Sequence, residues 1–123
     1  MAFTVRYSHK LGIVESHIIG EINNQDLHEH EVQCIDLAKQ NGTSRILTDA
    51  TNATFAISLM GIYELPEFYE KLGLERNIRI AVLTSTPDDK NGLIRFYENV
   101  CVNRGWSSKA FNKRQEALDW LLK

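Results

Sequence analysis

The sequence predicts one α/β domain with a mixed, mostly parallel sheet. Three observations carry that prediction. Strand-length apolar patterns alternate with helix-length amphipathic ones along the chain. Residues Ile78 to Leu83 form a nearly continuous apolar run, as a central strand covered on both faces requires. The length of 123 residues suits one domain, expected to span 1–123, and its 43% hydrophobic and 24% charged residues suit a globular core and shell.

Phe3 to Tyr7 alternates apolar and polar residues and reads as the first strand. Ser8 to Gly12 supplies a turn, and Ile13 to Ile19 reads as the second strand, ended by Gly20. Val14 and Ile18 fall on one face, Glu15 and His17 on the other. Asn23 or Asn24 then caps a helix running to about Asn41. Leu27, Cys34, Ile35 and Ala38 form its apolar stripe, and Gly42 stands where a left-handed cap belongs. Arg45 to Thr48 reads as a short strand ending at Asp49, followed by a polar loop from Ala50 to Ile57.

Ser58 begins the next helical region. Pro66 lacks a backbone donor and clashes with a preceding helical turn, so a kink or two short helices are expected before Leu72. After the central strand, a loop covers Thr84 to Asp89. Leu93, Ile94, Tyr97, Val100 and Cys101 then recur at helical spacing up to Arg104. Lys109 to Phe111 reads as a last short strand. Asn112 and Gln115 have capping-box spacing for a final helix that buries Ala117, Leu118 and Leu121. The expected order is β-β-α-β-α-β-α-β-α, with right-handed crossovers.

Composition limits function. The formal net charge is −2 and the basic residues are scattered, which gives nucleic acid no phosphate-tracking stripe. No stretch reaches membrane-spanning length. The start of the chain lacks the apolar core of a signal peptide. Cys34 and Cys101 stand far apart inside helical patterns and read as buried free thiols, which suits a cytoplasmic setting.

In open α/β sheets, ligands sit beyond the carboxyl ends of the strands. The loops expected there hold Asp49, Thr51, Asn52, Ser58, Ser85, Asp88 and Asp89. Their hydroxyls, amides and carboxylates suit an anion or a protein partner, and the same groups cap helices. Asp88 and Asp89 with Asn91 offer oxygen donors to a cation, too few to define a site. His28 and His30 are two apart on a helix and point apart, so no metal site is expected. Glu15 and His17 share a strand face, read here as exposed. No nucleophile stands at a readable spacing from them, so neither an enzyme nor a cofactor is expected. The region from Ser58 to Leu72 carries Leu59, Met60, Ile62, Tyr63, Leu65, Phe68, Tyr69 and Leu72. That exceeds what one buried face needs and suggests a homodimer surface or an apolar pocket.

The segment Leu47-Thr48-Asp49-Ala50-Thr51-Asn52-Ala53-Thr54-Phe55-Ala56-Ile57-Ser58 resembles the STAS (SpoIIAA-like) pattern. In that family an Asp ends the third strand, a polar loop follows and a Ser opens the next helix. The element order is similar along nearly the whole chain. The segments Phe96-Tyr97-Glu98 and Glu116-Ala117-Leu118-Asp119-Trp120-Leu121 are similar to an uncharacterised SpoIIAA-like branch. The resemblance implies a bacterial regulatory domain that works by binding an unidentified protein partner. It also implies that Ser58 is a phosphorylation candidate, because the matching serine of the anti-anti-sigma members is phosphorylated by a partner kinase. Here Ile57, Leu59 and Met60 replace the acidic and Ser-Gly neighbours usual there. A likeness of the helical layer to SEC14-type lipid-binding folds implies the alternative of a small apolar or anionic ligand beneath that layer.

Overall fold

In a computed structural model, which describes residues 3–85 and 92–123, five strands form one sheet in the order β1-β2-β3-β4-β5. The strands are β1 (Phe3–Ser8), β2 (Ile13–Asn23), β3 (Arg45–Ala56), β4 (Arg79–Leu83) and β5 (Ser107–Phe111). The helices are α1 (Asn24–Asn41), α2 (Leu59–Tyr63), α3 (Leu65–Lys71), α4 (Leu93–Asn103) and α5 (Arg114–Leu121). The β1–β2 pair is antiparallel and the others are parallel. This is the mixed α/β architecture expected from sequence.

Apolar residues on both faces of the central strands fix two layers. Val14, Ile18, Ile46, Ile80 and Val82 face the core beneath α1 to α4. Ile13, Leu47, Ala81 and Leu83 face the other way, against Ala117 and Leu121 of α5. Fully burying one such large side chain is worth about 1.5–3 kcal/mol, so the central strands anchor both layers. Asn23 caps α1 in a capping box with Asp26, and Gly42 ends the helix in the left-handed region at φ 63°. Pro66 falls in the first turn of α3, where its missing N–H costs nothing. Of the two arrangements expected around it, the chain adopts two short helices, joined at Glu64.

Three local expectations are corrected. Gly20 does not end β2. It takes φ 81° inside the strand, which continues to Asn23. Asp49 does not end β3, and 50–57 is not a loop: β3 runs on to Ala56, pairing Ala53–Ala56 with Gly20–Asn23. Asn112 does not cap α5. Lys113 holds that position without a side-chain bond, while Gln115 bonds Asp119 one turn along.

Candidate functional site

The long β3 carries a bulge. His17 pairs with Asp49 and Ile19 with Asn52, so β3 advances three residues while β2 advances two. Asp49 pins the extra residue. Its Oδ1 accepts from the Thr51 backbone N–H at 3.0 Å and from the Thr51 hydroxyl at 2.7 Å. Burial alone would raise the Asp49 pKa, but these bonds outweigh it and hold the carboxyl below its usual value, helped by His17 and Arg114.

Asp49 also lines a cleft of about 290 Å³ on the α5 side of the sheet, with Thr4, Arg6, Glu15, His17 and Arg114. The Glu15 carboxylate is clamped from two elements. Arg6 donates to Oε2 at 2.9 Å and Arg114 donates to Oε1 at 2.7 Å. Glu15 is therefore largely enclosed, which corrects the reading of an exposed strand face. His17 Nε2 lies 4.0 Å from Asp49 Oδ2 and 3.5 Å from Asn52 Nδ2.

Ser58 occupies a different place. It is exposed and caps α2 by accepting the Gly61 N–H at 3.0 Å. Beside it, Leu59, Met60 and Tyr63 are 57%, 64% and 52% exposed. Three large apolar side chains on one five-residue helix form a surface patch, while Ile62 of the same helix enters the core. The structure thus brings together Asp49, Thr51 and Asn52 but does not join them to Ser58. Ser85 is exposed just after β4, and Asp88 and Asp89 lie outside the described residues.

A buried polar cluster was not visible in sequence. His30 Nε2 lies 2.8 Å from Ser16 Oγ, and His30 Nδ1 lies 3.1 Å from Glu31 Oε1. That is the connectivity of a Ser–His–acid triad, but its protons run the wrong way. Ser16 donates its hydroxyl hydrogen to Thr48 Oγ1 at 2.9 Å, so Ser16 accepts from Nε2–H. Glu31 accepts from Nδ1–H, and the ring is an imidazolium. Burial alone would lower the His30 pKa, but bonds to Cys34 and Glu31 outweigh it and push it up to about 10. A protonated ring is no general base at neutral pH. The group is a structural tie between α1 and the sheet.

His30, Glu31, Thr48 and Tyr97 also border a cavity of about 50 Å³ that is otherwise lined by apolar side chains, including Leu27, Phe55, Ile62 and Leu65. The cavity lies beneath the α2–α3 layer, where the sequence suggests a pocket, and its size suits a few waters. His28, exposed on α1, stacks on Phe68 with ring centroids 4.5 Å apart. Among the described residues, no group of His, Cys, Asp and Glu is placed to hold a metal, and no helix is long and apolar enough to cross a membrane.

No protein-family profile and no curated protein sequence matches the chain. Solved structures do. An uncharacterized protein from Shewanella loihica with a SpoIIAA-like fold is 19% identical, with a TM-score of 0.61 over 98% of this chain and 92% of that one. An anti-sigma factor antagonist from Mycobacterium paratuberculosis is 16% identical, with a TM-score of 0.61 over 98% and 95%. The Bacillus cell fate determinant SpoIIAA, in its phosphorylated form, is 18% identical, with a TM-score of 0.56 over 97% and 98%. Likeness at this level of identity speaks to architecture alone, and on that likeness over nearly the whole length the chain has the SpoIIAA-like, or STAS, fold.

Proposed function

We propose that this protein is a regulatory protein-interaction module that carries out no catalysis and docks its partner through the exposed face of α2. The observation that carries the reading is the patch of Leu59, Met60 and Tyr63 beside an exposed Ser58. Apolar side chains so exposed leave hydrophobic free energy to be gained on docking, about 25 cal/mol per Å² covered. Two of the structural relatives are described as regulators, one of them in a phosphorylated form. Those descriptions belong to those proteins, and they favour a regulatory role for this chain. Buried free Cys34 and Cys101 fit a reducing, cytoplasmic setting.

Ser58 is the proposed switch. Its hydroxyl stands at the surface, and a phosphate there would place two negative charges at the edge of the apolar patch. The five-residue α2 has too few aligned peptides to hold that charge strongly, so the phosphate would act mainly on the partner. The test is denaturing mass spectrometry of protein isolated from its own cells, followed by partner binding of Ser58→Ala and Ser58→Glu. One phosphate mapped to Ser58, with Ser58→Glu altering partner affinity and Ser58→Ala preserving it, supports the switch. Unmodified Ser58, with both variants binding alike, removes it.

A second reading is a small apolar ligand beneath α2 and α3. The cavity there favours it by position. Its volume excludes an acyl chain unless α2 and α3 move away from the sheet, so this reading requires those two short helices to open.

A further inference from the structure

We infer that the cleft between β1, β2, β3 and the start of α5 binds a small zwitterion, its carboxylate held by Arg6 and Arg114 and its ammonium by Asp49. The inference concerns the α5 side of the sheet and is independent of the α2 patch.

The two poles are already in place. Arg6 and Arg114 each reach Glu15 through one terminal nitrogen. A guanidinium carries five N–H donors in a planar fork. Among the described residues, the remaining donors of Arg6 meet no other protein acceptor, and neither do those of Arg114. Their side chains are 75% and 49% exposed, so those donors open onto the cleft. On the other wall, Asp49 spends Oδ1 on both Thr51 bonds and leaves Oδ2 with only His17 at 4.0 Å, beyond hydrogen-bond range. Thr51 thus holds the carboxylate in place and leaves one oxygen free.

Charge decides the kind of ligand. Arg6 and Arg114 contribute two positive charges, and Glu15 and Asp49 contribute two negative ones. These four groups together carry no net charge. A simple anion placed on the guanidiniums meets the repulsion of Asp49, and a simple cation placed on Asp49 meets that of Arg114. A molecule carrying both charges satisfies both walls. The poles are neighbours. Both guanidiniums grip Glu15, and Asp49 pairs across the sheet with His17, two residues along β2, a backbone step of about 7 Å. An α-amino acid with a hydrogen bond of about 2.8 Å at each end spans a comparable distance. The volume of about 290 Å³ admits such a molecule.

The test is a titration of the full chain by ¹⁵N–¹H correlation spectra with L-alanine, propionate and ethylamine at equal concentration and ionic strength. The expected result is saturable shifts of Thr4 to Arg6, Glu15 to His17 and Arg114 with L-alanine alone. Arg6→Gln and Asp49→Asn should each weaken that binding at least tenfold. Arg6 is a surface side chain, and Asn at 49 keeps an acceptor for Thr51, so both variants should remain folded. The absence of a saturable shift with L-alanine overturns the inference. So does propionate or ethylamine binding equally well. A loss of affinity in only one of the two variants also overturns it, because one pole would then suffice.

Discussion

The His30 ring donates from both nitrogens, to Ser16 on β2 and to its own neighbour Glu31, and so binds the long helix to the sheet with a buried charge. The ring is only 2% exposed, and Phe3 closes its edge at a centroid distance of 5.3 Å. Removing one partner of such a group leaves the other uncompensated.

The first prediction is a pH dependence. The folded-state pKa of His30, about 10, lies above the ordinary 6.5, so the folded state holds this proton more tightly. The stabilisation is complete below pH 6.5 and is lost as pH rises towards about 10. Each pKa unit corresponds to about 1.4 kcal/mol, so the loss amounts to a few kcal/mol. Urea unfolding from pH 6 to 10 should show stability falling across that window. His30→Gln should flatten the slope while lowering stability at neutral pH. A wild-type midpoint that is level across the window would show that the ring is neutral.

Much of this cluster was beyond the reach of sequence. The two-residue spacing of His28 and His30 separates them on α1, and the fold turns His30 inward. Its partner Ser16 lies 14 residues away, and only the packing of α1 on β2 joins them. The extension of β3 was missed for a different reason. Ala53 and Phe55 point inward while Asn52, Thr54 and Ala56 point out, so the alternation is present. Small residues give it little hydropathic contrast, and Asn and Thr also favour loops. Gly20 reads as a stop because glycine weakens strands, yet here it sits inside β2 just past the bulge, at a positive φ that glycine adopts readily. Patterns strong in bulky apolar residues, such as Ile78 to Leu83 and the stripe of α1, were legible because burial alone dictates them.

A second prediction separates the middle of a buried chain of hydroxyls from its end. Tyr69 Oη lies 2.8 Å from Tyr97 Oη, which lies 2.8 Å from Ser108 Oγ. Tyr97→Phe strands the buried Tyr69 hydroxyl, at about 1–3 kcal/mol, and loses its own bond to Ser108, at about 1 kcal/mol, so it should cost about 2–4 kcal/mol in all. Tyr69→Phe removes one terminal hydroxyl and should cost about 1 kcal/mol. Chemical denaturation of both variants gives the comparison, and equal losses would mean that Tyr97 does not bridge the other two.

The thiols supply a third. Burial pushes the Cys101 thiol up to about 12, with bonds to Tyr97 and Ser108 opposing. Cys34 is buried beside His30. Neither sulfur should react with an aromatic disulfide reagent at pH 8 in the folded protein, and both should react once it is unfolded. Rapid reaction of Cys101 in the native state would contradict its burial beneath Tyr97.

The last prediction tests the α2 patch without disturbing the fold. Met60 is 64% exposed, so Met60→Glu loses little buried area and should leave unfolding stability within about 0.5 kcal/mol of wild type. Ile62→Glu, on the buried side of the same helix, should cost several kcal/mol because it places an unpaired carboxylate in the core. If the patch docks a partner, Met60→Glu should abolish that association while the circular dichroism spectrum is unchanged. Should the occupant be a second copy of the chain, the same substitution should convert a dimer to a monomer in sedimentation. An intact association with Met60→Glu, in a protein that still unfolds like wild type, would move the docking surface away from α2.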